Sequence, residues 1–458
     1  MKENENEIKA EEKSLSEENL QPEEKQTKKT KHKPIFYIVA IVLGVLLFLS
    51  GMFIGGSYSC KSSKANEIIR LIDKYSAYTD ENVSGDDIAR AVVKSVLKDD
   101  KYAKYYSKEE FETLQSEEKG EYDGVGLSFL VDSTTGETLG DTICGVYDNS
   151  PAFNAGIKKG DKVVYVCKTG EEKQPISNNN DLTTFLKNVE TGIQISLYIN
   201  RDGEFTEKEF TLVKGKYTLA YVKYYDSEMS ARFYSEGGEK TKLTTDTNGK
   251  SKLASNTALI SLSLFEGDAA REFCEALELM KKNNKSKLIL DLRDNGGGFM
   301  TVLSDISSYL IGGVKGKSKI AVAKEKGGKE EWFYSSGNNF YKNITEIVVL
   351  ANENTASASE CLIGALLYYG KEENGAKFST DNLVLTYNKS RENYSTYGKG
   401  IMQTTYKLQS GGAFKMTTAY IYQPDGETCI HDVGITTSVE ENKVENDKAI
   451  ARAVEILK

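Results

Sequence analysis

Ile347-Val348-Val349-Leu350-Ala351-Asn352-Glu353-Asn354-Thr355-Ala356-Ser357-Ala358-Ser359-Glu360 passes from an apolar run, through a polar turn, into a segment with helical spacing. The run reads as a buried strand, and the same strand-then-helix texture repeats around it. Ala258 to Phe265 and Leu288 to Leu292 read as strands, and Asp268 to Lys282, Val302 to Leu310 and Ser359 to Tyr369 as amphipathic helices, with another at Asn446 to Leu457. Buried strands alternating with helices indicate an α/β layer structure with substantially parallel pairing. Ser357 falls at a strand-to-helix junction, where two readings compete. Ser357-x-x-Glu360 has capping-box spacing, which would use the serine only to start a helix. The same place also suits a nucleophile, because first-turn amides and the helix dipole stabilise negative charge developing beside the hydroxyl.

Bulk properties narrow the chemistry. A chain of 458 residues is too long for one ordinary core. Its formal net charge of -9 argues against nucleic acid as a partner, since phosphate binding needs a basic surface. The only histidines are His32 and His431, and His32 lies in a charged segment ahead of a long apolar run. A zinc hydrolase is therefore disfavoured, and a Ser-His-Asp enzyme would depend on His431 alone. Cys60, Cys144, Cys167, Cys274, Cys361 and Cys429 include no CxxC pair, so no metal ribbon or redox motif is spelled out.

Residues 1–34 are too polar to bury a core and read as a disordered cytoplasmic segment. Residues 35–57 carry an uncharged apolar run, Ile35 to Gly56, long enough to cross the ~30 Å hydrocarbon layer as a helix. Lys25, Lys28, Lys29, Lys31 and Lys33 precede it, which places the N-terminus in the cytosol and the rest outside. A single-pass cell-membrane protein is the expectation, in an exported compartment where disulfides can form. Residues 58–118 show helical spacing, with Ile68, Ile69, Leu71 and Ile72, then Ile88, Ala91, Val92, Val93 and Val96. Those stripes could pack on the main domain or form a homodimer.

Over residues 119–215 the texture changes to short β-branched and aromatic runs, Thr142 to Tyr147, Lys162 to Cys167 and Ile193 to Ile199. Between them lie Ser150-Pro151-Ala152 to Gly160-Asp161 and a second helical segment, Asp181 to Asn188. This block resembles a PDZ domain, and Gly124, Val125, Gly126 and Leu127 match its carboxylate-binding loop. Glycines let successive N–H groups turn toward one anion, and the next strand accepts a peptide by β-augmentation.

Over residues 216–458, three blocks follow in order: Leu290-Asp291-Leu292-Arg293-Asp294-Asn295-Gly296-Gly297-Gly298, the Ser357 stretch, and Thr396-Tyr397-Gly398-Lys399-Gly400-Ile401-Met402-Gln403. Together they resemble the C-terminal processing peptidase (tail-specific protease) family, a serine–lysine type with a PDZ domain. The resemblance makes Ser357 the nucleophile, Lys399 the general base and Gln403 a third residue orienting the lysine. It assigns the oxyanion hole to Ala358 with Gly297 or Gly298. A general-base lysine must be neutral, so burial or a positive neighbour has to depress its pKa. If the segment after Gly400 is a strand, Lys399, Ile401 and Gln403 share a face.

Departures from the family pattern are Gly296 in place of proline, Asn-Glu-Asn before Thr355, and a long Tyr369–Thr396 segment that reads as a surface excursion with a lid at Asn388 to Tyr394. The implied enzyme needs no metal or organic cofactor. It acts on proteins with free C-termini, with or without an activating adaptor. Two alternatives stand beside it: a catalytically silent scaffold that binds peptide tails, and a triad built on His431.

Overall fold

The computed structural model describes residues 67–69, 71, 84–131, 138–177, 179–201, 207–233, 240–241, 253–311, 318–337, 341–370, 378–387 and 392–458. The segment 35–57 and Cys60 lie outside them. No helix among the described residues is long and apolar enough to cross a membrane. Residues from Gly85 onward form one compact unit, separate from Met1–Ser84. Glu67–Ile69 and Leu71 are helical.

Asp86 and Asp87 in the first turn and Lys94 in the last complement the dipole of α1 (Gly85–Val96). Among the described residues its stripe is only partly covered: Ile88 and Val93 are half-buried, and Val92 and Val96 are exposed. Next comes β1 (Lys104–Tyr106), then α2 (Lys108–Glu118), which starts at a capping box between Ser107 and Glu110. The strand corrects the expectation of a purely helical 58–118 region. Tyr105 and Tyr106 bury their rings, and Lys104–Tyr106 pairs antiparallel with Ala413–Lys415 near the other end of the chain.

A two-stranded antiparallel ribbon then leads into a small β module. β2 (Glu121–Gly124) enters it, and β9 (Gly215–Thr218), which leaves it, pairs antiparallel with β2, so the module is an insertion. In chain order it contains β3 (Leu127–Val131), β4 (Thr138–Val146), α3 (Pro151–Asn154), β5 (Lys162–Lys168), β6 (Gln174–Pro175), α4 (Asn179–Lys187), β7 (Gln194–Asn200) and β8 (Lys208–Val213). The sheet order is β3-β4-β5-β7-β8, with β6 on β5. Alternation drives it: in β8, Phe210 and Leu212 point inward while their neighbours face water. Val125, Ala152, Val163, Leu182 and Leu197 complete this separate core.

After β9 the chain forms β10 (Val222–Tyr225), β11 (Ser230–Arg232), β12 (Lys240–Thr241), β13 (Thr257–Leu262), α5 (Ala269–Lys282), β14 (Lys287–Asp291), α6 (Met300–Leu310), β15 (Lys319–Glu325), β16 (Glu330–Tyr334), β17 (Glu346–Ala351), α7 (Ala358–Tyr369), β18 (Leu383–Thr386), β19 (Ile401–Lys407), β20 (Ala413–Tyr422), β21 (Lys443–Val444) and α8 (Ala449–Ile456). Eight strands run β12-β11-β10-β13-β14-β17-β18-β21. From β13 to β21 the pairing is parallel, and from β10 to β12 antiparallel. Both faces of the parallel part are covered. In β17, Ile347, Val349 and Ala351 pack toward the cluster holding α5 to α7, and Val348 and Leu350 toward Ala449 and Ala453 of α8 and Leu457 just after it. That is why the run is uninterruptedly apolar.

A second, antiparallel sheet, β1-β20-β15-β16 with β19 on β20, stands beside the first and was not foreseen. The Tyr369–Thr396 segment is more than a surface excursion, because β18 inside it is a fully buried strand paired with β17 and β21. Of the expected lid, residues 388–391 lie outside the described residues, and Tyr394 packs against the main core. Among the described residues Cys144, Cys167, Cys274, Cys361 and Cys429 are free thiols.

Candidate active site

Two turns at the carboxyl ends of parallel strands, those after β14 and β17, meet at Ser357. After β17, Asn352 turns the chain: its Oδ1 accepts from Asp294 N–H (2.9 Å), and its Nδ2 donates to Asp294 Oδ1 (2.9 Å). Asn354 Nδ2 donates to the same carboxylate oxygen (2.8 Å). The unusual Asn-Glu-Asn turn is thus a clamp on the loop after β14. Asn295 completes it: Asn295 is fully buried, its carbonyl accepts from Ala356 N–H and Ser359 Oγ, and its Nδ2 donates to Leu262 O.

Ser357 itself has φ 57° and ψ −115°, a conformation that residues other than glycine rarely adopt. The turn is held there by contacts on both sides. Gly297, at φ 100°, lies so close that a Cβ would meet Ala356 O at 2.8 Å, Ser357 Cβ at 2.8 Å and Ala358 N at 2.9 Å. Its N–H donates to Asn295 Oδ1 (2.9 Å). Gly298 is pressed against Phe265, whose O would sit 2.4 Å from a Cβ. Ala358, the first residue of α7, is buried beside them.

The capping-box residue Glu360 proves to have a larger role. Its Oε2 accepts from Ser357 N–H and from Lys399 N–H, each at 2.9 Å. The two main-chain nitrogens therefore lie within twice that distance of each other. Its Oε1 accepts from Gly398 N–H at 2.7 Å and from the Thr396 hydroxyl at 2.5 Å. A buried carboxylate thus joins the turn bearing Ser357 to the loop bearing Lys399. Burial pushes its carboxyl above the ordinary glutamate value, while the four donors pull the other way. Tyr397 N–H donating to Thr355 O (2.9 Å) adds a second tie between the loops.

Lys399 is half-buried, and its amine is held below the ordinary lysine range. Desolvation is the main cause, followed by the Lys415 ammonium, with Glu360 opposing and Lys101 adding to the depression. Lys399 Nζ also lies over the Tyr102 ring, 4.9 Å from its centroid.

Gln403 lies in β19, after the Lys399 loop rather than on one strand with it. A bulge between Met402 and Gln403 breaks the strict alternation that would have put both on one face. Gln403 Nε2 is buried without a hydrogen-bond partner among the described residues. His431 packs its backbone against Gly400 and its ring against Tyr420, with Nε2 3.5 Å from Asp432 Oδ2. No hydrogen bond joins it to Ser357 among the described residues. In the module, Gly126 has φ 80°, and a Cβ there would meet Ser150 Cβ at 2.0 Å. Its carbonyl accepts from Tyr147 N–H, and that of Val125 from Ala152 N–H. These bonds fix the Gly124–Leu127 corner against the start of α3.

Sequence reading missed Glu360 as a bridge, Asn295 and Tyr102. The capping spacing pointed at Glu360, but nothing local announces donors 36 to 39 residues away.

Residues 256–373 and 393–440 match peptidase family S41. Carboxyl-terminal-processing peptidase 2, chloroplastic, of Arabidopsis thaliana is 28% identical over 339 residues, covering 74% of this chain and 57% of its own length. The carboxy-terminal processing protease CtpA of Bacillus subtilis (strain 168) is 27% identical over 416 residues, covering 89% of this chain and 76% of that one. The solved photosystem II D1 C-terminal processing protease superposes with TM-score 0.47 and 20% identity, over 83% of this chain and 86% of that chain. The stretch that matches the peptidase family S41 model carries the Ser357 and Lys399 turns, and the two relatives it is similar to are both named as carboxyl-terminal processing proteases.

Proposed function

We propose that this protein is a membrane-anchored, extracytoplasmic endopeptidase that cleaves proteins in or near their C-terminal regions, with Ser357 as nucleophile and Lys399 as general base. The observation that carries the reading is Glu360 Oε2, which accepts from the main chain of both residues and so keeps the two turns in one register. The depressed Lys399 amine supports it, because only a neutral amine can take a proton.

Lys399 Nζ removes the Ser357 Oγ proton as Oγ attacks the substrate carbonyl carbon. The oxyanion is stabilised by the Ala358 N–H, at the positive end of α7, and by a glycine amide. Because Gly297 N–H is turned to Asn295 Oδ1, Gly298 supplies that amide, and Gly297 supplies the space. Collapse breaks the C–N bond, and the Lys399 ammonium returns its proton to the departing amine. Water, deprotonated by Lys399, then attacks the ester and releases Ser357. Gln403 is the third residue of the site, its buried amide available to orient a neighbouring group.

The module of residues 119–215 is read as a PDZ-like domain that captures or gates substrate tails through Gly124–Leu127. A charged clasp ties it to the catalytic sheet, since Asp148 meets Lys223 (2.5 Å) and Arg232 (3.3 Å). Segment 35–57 is the anchor, as its apolar run and the lysines ahead of it suggest. Cleavage of an unstructured protein bearing a free C-terminal carboxylate tests the reading. Turnover should vanish in Ser357→Ala and Lys399→Ala with folding intact, whereas undiminished turnover in either would remove that residue from the mechanism.

A further inference from the structure

The base is not enclosed by its own domain alone. Asp100 anchors the segment ahead of the β module to the catalytic sheet: its Oδ2 accepts from Thr417 N–H (2.7 Å), and its Oδ1 from Thr417 Oγ1 (3.0 Å) and Tyr102 N–H (3.1 Å). Strand β1 follows directly, in register against β20, with Lys104 opposite Lys415. The chain between is thereby pinned, and Tyr102 is carried to the active site. Its ring covers Lys399 Nζ, and its hydroxyl donates to the Tyr397 hydroxyl (3.3 Å), on the loop that holds the base. Lys101 Nζ lies over the same two rings, 5.1 Å from that of Tyr102 and 5.8 Å from that of Tyr397.

We infer that Tyr102 is a positioning residue of the peptidase site, a cover that keeps water off the Lys399 amine and fixes its direction from a segment outside the S41 match. This rests on Lys399 being the general base. The charged and titratable groups around the pair are Glu360 on α7, Tyr397 on the base loop, Lys415 on β20, Asp432 after the base loop, and Lys101 beside Tyr102. Two effects of the ring oppose each other. Attraction of an ammonium to its face favours the protonated lysine, worth roughly tenfold in acidity, whereas exclusion of water favours the neutral amine and moves buried lysines by a hundredfold or more. Exclusion wins, in line with a depressed Lys399 whose main cause is desolvation.

The test uses competitive acetylation of the full-length protein with acetic anhydride across pH, reading the Lys399 peptide by mass spectrometry against an internal amine standard. This reports the protonation midpoint of Lys399 without requiring turnover, so it stands apart from the question of peptidase activity. Tyr102→Leu should raise the midpoint by about one pH unit, and Tyr102→Phe, which keeps the ring, should leave it unmoved. In parallel assays, Tyr102→Leu should lower kcat about tenfold or more with KM unchanged, and Tyr102→Phe should lower it only a few-fold. Should Leu lower the melting temperature, Tyr102→Met fills more of the volume and carries the same expectation. An unchanged or lowered midpoint in the aliphatic variant, or a loss confined to KM, overturns the assignment.

Discussion

Replacing Glu360 by glutamine tests how much of the site depends on one carboxylate. In the native protein four donors converge on its two oxygens: Ser357 N–H, Lys399 N–H, Gly398 N–H and the Thr396 hydroxyl. An amide keeps one accepting oxygen and turns its NH2 toward the remaining donors. The Thr396 hydroxyl can rotate away, which leaves about one or two buried N–H groups unmatched at roughly 1–3 kcal/mol each. Relief of burying a charge offsets part of this, so the expected loss of stability is about 2–3 kcal/mol, a fall in melting temperature of several degrees. The kinetic effect should be larger. The amide's N–H2 pushes apart two loops that the carboxylate draws together, and displacements near 1 Å in such a site cost about a hundredfold in rate. Glu360→Gln should therefore lower kcat about a hundredfold, with KM little changed, in a steady-state assay on an unstructured protein beside a calorimetric melt. A variant with kcat within threefold of the native value and an unaltered melt would refute the bridging argument.

Other consequences follow from individual contacts. Ser357 is held at a φ and ψ suited to glycine, so Ser357→Gly should be inactive yet about 1–2 kcal/mol more stable than Ser357→Ala in denaturant titration; equal stability would mean the turn stores no strain. Lys415→Met removes a positive neighbour that depresses Lys399. The acid limb of kcat/KM, which marks loss of the neutral amine as pH falls, should then move upward by a few tenths to one pH unit at low salt, and a downward move contradicts the electrostatic account. Gly126→Ala drives a methyl into Ser150 at positive φ. It should raise KM about tenfold for substrates with a free carboxylate and leave C-terminally amidated ones unaffected, whereas equal effects on both would separate this corner from tail recognition.

What could be read ahead of the structure was what periodicity encodes. The apolar run ending at Ala351 is β17 and α7 begins one residue before the expected Ser359, because a strand buried on both faces and a helix start at a polar turn both leave local marks. The parallel core followed from the same patterns. Contacts distant in sequence left none. The antiparallel sheet depends on β1, three residues among lysines whose strand character comes only from pairing with β20. β18 reads from sequence as part of a surface excursion because four apolar residues are too few to reveal a period. Gln403 was placed by alternation, and the bulge after Met402 interrupts it. Tyr102 had no signal at all, being one tyrosine of 27.

The proposed mechanism has Ser357 and Lys399 act together on a peptide bond. Its most direct test is mass-spectrometric detection of an acyl group on Ser357 during turnover of an unstructured protein, at a pH above the Lys399 midpoint and again below it. The adduct should accumulate at the higher pH, fade at the lower, and be absent in Lys399→Ala; acylation that proceeds unchanged in Lys399→Ala would remove the lysine from the mechanism.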